Sequence, residues 1–254
     1  MKFLFPLLLL LLANAATAQD EDAKWKRMYA ESQKTEVYTP VPPTVDPAMY
    51  TNLPPSDAVV LLGQERPEAF HSSKDKSDNP WYFHNGVMVV EPGTGDIETK
   101  TGYGSVQLHL EWNAPVDTAG LEGQARSNSG VFFQNRYEVQ ILDNYRNPTY
   151  TNGQAGAVYK QHVPLANPLR PPGEWQAYDI VFNAPAFDAS GQQTKAGTLT
   201  VFINGVLVQN NVEILGTTEW IGAPKVEAHP DKLPIKLQDH GNRMAFRNIW
   251  LREL

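Results

Sequence analysis

From residue 81 to the C terminus the chain alternates apolar and polar residues in short runs, and Gly, Pro, Asn and Asp divide the runs from one another. This is the feature that most restricts the fold. A period of two places successive side chains on opposite faces of a strand, whereas a helix needs apolar positions three and four apart. Residues 87–90, 105–112, 130–134, 136–142, 177–182, 198–203, 206–209, 235–239 and 244–252 all read as strands, and no stretch between them has a helical period. Asn204-Gly205 lies between two alternating runs and supplies the two positive-φ residues of a type I′ hairpin turn. Strands at this spacing without intervening helices predict an all-β antiparallel sandwich or jelly roll.

The rest of the chain is unlike this region. Residues 1–18 consist of Lys2, an apolar run from Phe3 to Leu12, and small residues ending in Ala16-Thr17-Ala18. That order predicts a secretory signal cleaved near Ala18, with a run too short to be a permanent membrane span, and hence a secreted or periplasmic protein. Residues 19–78 read as a Pro-rich N-terminal arm. A polar stretch over 20–34 is suited to one exposed helix, prolines at 40, 42, 43, 47, 54 and 55 break regular structure, and 58–62 can add an edge strand. Residues 79–254 are then the folded domain. The 254-residue chain has no cysteine, which excludes disulfides, thiolate metal sites and a cysteine nucleophile. Twenty-one basic against twenty-eight acidic residues give a net charge of −7, the wrong sign for tracking a phosphate backbone, so nucleic acid is not an expected partner.

Strand alternation also nominates a site. In residues 106–112, Val106, Leu108, Leu110 and Trp112 share one face, and Gln107, His109 and Glu111 share the other. In 137–143, Val139 and Ile141 take the core side and Glu138 and Gln140 the opposite one; in 235–240, Lys236, Gln238 and His240 lie opposite Ile235 and Leu237. If the three strands share a sheet, their polar faces form one surface with acid, base and amide chemistry. Such a surface suits a sugar, with Trp81, Tyr103, Tyr145 and Tyr159 available to cover ring faces. Taken one at a time, each strand fits an ordinary solvated sheet face better than it fits a site.

The segment Ser127-Asn128-Ser129-Gly130-Val131-Phe132-Phe133, followed by Arg136-Tyr137-Glu138-Val139-Gln140-Ile141-Leu142-Asp143, resembles the central signature of the 3-keto-disaccharide hydrolase domain family. Residues 95–100, 108–112, 172–175, 204–205, 237–241 and 246–249 extend the resemblance in order over about 79–254. It implies a concanavalin A-like jelly roll, export from bacteria, and cleavage of the glycosidic bond of a sugar oxidised at C3. A ketone at C3 acidifies the hydrogen on C2, so a base forms an enolate that expels the C1 substituent, and water then adds. On this reading Glu138 or His109 is the base, Lys100 or His240 serves the enolate oxygen, and Glu111 is a second carboxylate for proton transfer. Asn128, Gln140, Asp143, Gln238 and Arg247 are positioning groups, and Tyr159 covers the sugar. Asp143 fits a strand cap as well as a site, and Arg247 fits a structural ion pair as well as a substrate contact.

Three other readings remain open. Glu138 and Glu111 can form the carboxylate pair of an ordinary glycosidase, although the E-x-D-x-E strand of jelly-roll glucanases is absent. The same amides and aromatics suit a non-catalytic, lectin-like module, and the fold also suits an envelope structural domain. No His/Asp spacing calls for a metal. Oxygen ligands for Ca²⁺ occur in the loops, but without an EF-hand spacing, so no cofactor is expected.

Overall fold

A computed structural model describes residues 20–254 with the exception of positions 51 and 119, and the expected signal segment lies outside the described residues. The chain divides into a unit up to Thr44 and a compact unit from Val45 to Leu254. In the first unit residues 20–32 form one helix whose side chains are exposed, as the polar composition predicts. No helix among the described residues is long and apolar enough to cross a membrane.

The second unit is an antiparallel β sandwich. Its strands are β1 (Val59–Leu62), β2 (Phe70–Ser72), β3 (Tyr82–His84), β4 (Val87–Val89), β5 (Ile97–Thr99), β6 (Val106–Asn113), β7 (Asn128–Phe133), β8 (Tyr137–Leu142), β9 (Gln176–Asn183), β10 (Ala186–Phe187), β11 (Gln193–Lys195), β12 (Thr198–Ile203), β13 (Val206–Glu213), β14 (Lys236–Leu237) and β15 (Ala245–Glu253). One sheet runs β13-β12-β9-β6-β15-β4-β3, with β1 also pairing with β15; the other runs β2-β5-β14-β7-β8, and β10-β11 form a small separate ladder. The expected all-β sandwich is therefore present. The edge strand read at 58–62 is β1, and Asn204 and Gly205 both adopt positive φ at the β12-β13 hairpin.

The core lies between the two sheets. Leu108, Leu110 and Trp112 of β6, Ile180 and Phe182 of β9 and Phe246 and Leu251 of β15 face Val131 and Phe133 of β7, Val139 and Ile141 of β8 and Leu237 of β14. Each of these side chains is essentially excluded from water, and burial of one contributes about 1.5–3 kcal/mol. Several rings meet directly: Phe133 stacks on Phe182 with centroids 4.7 Å apart, and Trp112 meets Tyr178 edge-on at 5.7 Å.

This topology corrects one expectation. The strand bearing His109 and Glu111 belongs to the eight-stranded sheet, whereas those bearing Glu138, Gln140, Gln238 and His240 belong to or continue from the five-stranded sheet. Alternation had assigned each side chain to the outer face of its own sheet correctly. Because the two sheets pack core to core, these outer faces point away from each other. The polar residues of β6 thus cannot join those of β8 and β14.

Candidate active site

A recess of about 240 Å³ lies on the outer face of the five-stranded sheet. Its floor comes from β7 and β8, which pair with Phe132 opposite Glu138 and Gly130 opposite Gln140. β14 lies on the other side of β7, pairs Lys236 with Phe132, and carries the chain on to Gln238 and His240. Tyr159, Thr218 and Trp220 close the walls.

Glu138 is the central group. Its side chain is buried yet lines the recess, and its carboxyl group has no hydrogen-bond partner among the described residues. Burial pushes its pKa up from 4.5 to about 8, with the Lys236 ammonium pulling it down and Asp96 pushing it further up. Lys236 is itself held, 3.0 Å from Asp96 and with its ammonium 4.2 Å from the centre of the Phe132 ring. Gly130 makes room for the carboxyl. A Cβ at that position would lie 2.5 Å from Glu138 Oε1 and 2.9 Å from Phe132 Cε2, closer than atoms approach. Here the glycine serves close approach rather than backbone freedom.

The amide groups of the recess fall into two sets. Gln140 Nε2 donates to Asn128 Oδ1 at 3.1 Å, and Asn128 Nδ2 donates to the Gln124 carbonyl at 2.9 Å, so this end of the site is braced internally. Gln238 and His240, in contrast, make no side-chain hydrogen bond among the described residues, and both line the recess. Their backbone is fixed: the Gln238 N–H donates to the Gly130 carbonyl at 3.0 Å, and Ser129 Oγ donates to the Gln238 carbonyl at 2.7 Å. Beyond them, Asp239 accepts from the backbone N–H groups of Gly93, Gly95 and Gly241 at 2.8–3.0 Å, which fixes the loop that presents His240. Three unspent polar side chains, an acid, an amide and an imidazole, therefore converge on a rigid floor. This is the arrangement expected of a site that exchanges protons with a polyhydroxylated ligand.

Of the sequence candidates, the structure brings together Glu138, His240, Asn128, Gln140, Gln238 and Tyr159. It separates the others. His109 and Glu111 lie on the outer face of the eight-stranded sheet in a charged cluster, with His109 Nε2 3.6 Å from Glu111 Oε1. His109 Nδ1 is 2.7 Å from Asp179 Oδ1, and its ring stacks on Trp250 at 5.2 Å. Glu111 accepts from Arg247 Nε at 2.6 Å, from Asn248 Nδ2 at 2.9 Å and from Asn52 Nδ2 at 3.2 Å. Burial disfavours the charge on His109, but the Asp179 and Glu111 carboxylates outweigh it and raise its pKa to about 9. Burial likewise opposes ionisation of Glu111, and its donors outweigh that and hold it at about 2. Arg247 completes this ion pair, with its guanidinium 4.1 Å from the Trp175 ring centre, and so lies outside the recess. Asp143 is a buried cap: it pairs with Arg126 at 2.9 Å and accepts from the Tyr145 N–H at 3.1 Å. Lys100 is exposed just beyond β5, beside Arg66 and Asp78 and away from the recess. Trp81 and Tyr103 are core residues, and Tyr145 packs against the core, so none of these aromatics covers a sugar there.

Two wall residues, Thr218 and Trp220, had not been expected. Thr218 Oγ1 accepts from the Glu138 N–H at 3.0 Å, which ties their loop to β8. The local signal was present as Trp220-Ile221 beside Gly222 in a polar turn, because a large exposed apolar pair in a loop suggests ligand contact.

A family model described as a 3-keto-alpha-glucoside-1,2-lyase-like domain matches residues 57–252, a span that includes β1 and β2 from the Pro-rich segment. A solved structure from Parabacteroides distasonis, provisionally named a glycosyl hydrolase, is 47% identical, with a TM-score of 0.83 and coverage of 87% of this chain and 96% of that one. Two further structures from the same organism, provisionally named in the same way, are 18% and 23% identical. Each covers 78% of this chain, at 94% and 99% of its own length, with a TM-score of 0.54, and so shares the fold. No curated protein matches the chain. By the extent of the family match and the 47% identity over nearly the whole folded unit, the chain belongs to the 3-keto-disaccharide hydrolase (3-keto-alpha-glucoside-1,2-lyase-like) domain family.

Proposed function

We propose that the protein is a carbohydrate-active enzyme that cleaves the glycosidic bond of 3-keto-glycosides or 3-keto-disaccharides. The observation that carries this reading is the single carboxyl group in the recess, Glu138, with its pKa raised to about 8. An ordinary retaining or inverting glycosidase generally uses two carboxyl groups flanking the scissile bond. Here the second carboxylate nominated by the sequence, Glu111, sits on the far sheet and is fully paired. A 3-keto sugar needs only one base, because its ketone supplies the activation.

The ionised Glu138 carboxylate takes the proton from C2, and the C2–H electron pair forms the enolate across C2 and C3. His240 donates to the enolate oxygen and stabilises it. Collapse of the enolate restores the C3 carbonyl, forms the C1–C2 double bond and breaks the bond from C1 to the leaving oxygen. That oxygen takes up the proton held by Glu138. Water then adds at C1 and a proton returns to C2, which gives the free 3-keto sugar. A base with a pKa near the working pH suits this cycle, since the same group must accept and release a proton. Gln238 and the Asn128–Gln140 pair hold the hydroxyls, and Tyr159 covers the ring.

The reading includes export after cleavage near Ala18, supported by the order of residues 1–18; N-terminal sequencing of the mature protein tests that part. Activity is tested by incubating the protein with a 3-keto-glucoside beside the unoxidised glucoside. Release of 3-keto-glucose from the oxidised substrate alone is the expected result. Release from both indicates an ordinary glycosidase, and binding without release from either indicates a lectin-like module.

A further inference from the structure

Outside the Glu138 recess is a wider vestibule of about 560 Å³, lined by Gln124, Asn128, Tyr150, Tyr159, Trp220 and His240. Four of these residues also line the recess, so the two spaces are continuous, and a bond broken beside His240 would leave its departing half in the vestibule. We propose that the vestibule is a leaving-group subsite for a flat, apolar and preferably aromatic aglycone, with Trp220 and Tyr150 as the residues that select it. This proposal rests on the activity proposed above and deepens it.

The walls favour a flat apolar group over a second sugar because, apart from the His240 imidazole and the Trp220 indole N–H, most of their polar groups are already engaged. The Tyr150 and Tyr159 hydroxyls are 2.6 Å apart and hydrogen-bonded to each other, with their rings edge-to-face at 6.3 Å. Gln124 is taken up by Asn128, Thr149 and Gly153. The Lys160 ammonium donates to the Trp220 carbonyl and lies 5.8 and 5.7 Å from the centres of the Tyr150 and Tyr159 rings. It thereby fastens three aromatics into one arrangement. A second sugar would bring several hydroxyls to a wall with few free partners, and each unmatched hydroxyl would cost binding. An aromatic ring needs only faces to stack on.

The position of these faces is fixed relative to the reacting centre. The Tyr159 N–H donates to the Glu138 carbonyl at 3.1 Å, and the Trp220 loop is closed at its base by Thr217 and Lys225, whose N–H···O bond is 2.8 Å long. At the loop tip Trp220 remains 72% exposed and Ile221 75% exposed. Exposed apolar side chains at the rim of a polar recess are in place to contact a ligand that enters it.

The test compares 4-nitrophenyl and methyl 3-keto-glucosides of the same anomeric configuration in the parent, Trp220→Ala, Trp220→Phe and Tyr150→Ala proteins. The ratio of kcat/KM for the aryl over the methyl substrate is expected to fall tenfold or more in W220A and Y150A, mainly through KM, and to recover in W220F. An unchanged ratio overturns the subsite. Calorimetric binding of 4-nitrophenyl 3-keto-glucoside serves as a second readout that does not depend on turnover. If the parent cleaves neither substrate, the activity reading fails, and the subsite is then decided by whether W220A loses at least tenfold in affinity for the aryl ligand or binds it as the parent does.

Discussion

Replacing Glu138 by Gln keeps the side chain's size and removes only its ability to ionise, so it isolates the stability cost of holding an acid at this position. With the pKa raised from 4.5 to about 8, the folded protein binds more protons than the unfolded chain between those values, and stability must fall as the pH rises through that window. Below pH 4.5 both states carry a neutral carboxyl and there is no penalty. Between pH 4.5 and 7 the cost grows by roughly 1.4 kcal/mol per pH unit, to about 3.5 kcal/mol. Water entering the open side of the recess reduces this, so about 1–3 kcal/mol is expected. For a unit of this size 1 kcal/mol moves Tm by about 2–4 °C. E138Q should therefore melt about 2–12 °C above the parent at pH 8 and together with it at pH 4.5, while 3-keto-glucoside cleavage falls by about 10²–10⁴, the usual contribution of a general base. Calorimetric scans from pH 4.5 to 9, run beside turnover assays, read both effects. A Tm difference that does not change with pH, or a variant less stable than the parent at pH 8, would refute the reasoning about burial. Undiminished turnover would refute the assignment of the base.

Gly130→Ala forces the Glu138 carboxyl and the Phe132 ring aside; it should cost about 1–3 kcal/mol from overpacking and lower kcat by tenfold or more while circular dichroism still reports the native sheet. His109 has a folded pKa raised to about 9, so its ion pairs contribute stability fully below about pH 6.5 and lose it as the pH rises through 9. His109→Gln should thus be less stable than the parent at pH 6, with the gap closing toward pH 10, and should keep its turnover number; a collapse of kcat would return His109 to the reacting centre. Leu110→Ala, at a fully buried site between the sheets, should lower unfolding stability by about 2–5 kcal/mol in a denaturant titration.

The sandwich was legible because strands such as β6, β8, β9 and β12 alternate apolar and polar residues over most of their length, so that Leu108 and Leu110, or Val139 and Ile141, declare a core face without help from distant residues, whereas β13 and β15 are interrupted by register shifts. The short strands β2, β3, β5, β10 and β11 were not legible, since two or three residues carry no period, and the equally short β4 and β14 were read only as parts of the longer runs 87–90 and 235–239. For the site, alternation identified the outward side chains but held nothing about which sheet a strand would join. That choice depends on long-range pairing, such as β14 inserting between β5 and β7, and no local pattern encodes it.

His109 and Glu111 looked as catalytic in sequence as Glu138 and His240, and since His109, Glu111 and Glu138 all have strongly shifted pKa values, a perturbed pKa alone does not separate the two clusters. What separates them is the cause of the perturbation. Glu111 is held low against its burial by His109, Asn248, Arg247 and Asn52, partners that would have to be released before its carboxylate could act on a substrate. Glu138 is held high by burial that no such donor offsets, with an open recess in front of it. A protein that leaves a buried acid unpaired carries a standing cost of a few kcal/mol in stability. At Glu138 that cost is localised to a group whose only open side is toward a ligand, and proton transfer to and from C2 of a 3-keto sugar is chemistry that such a group can perform and a paired carboxylate cannot.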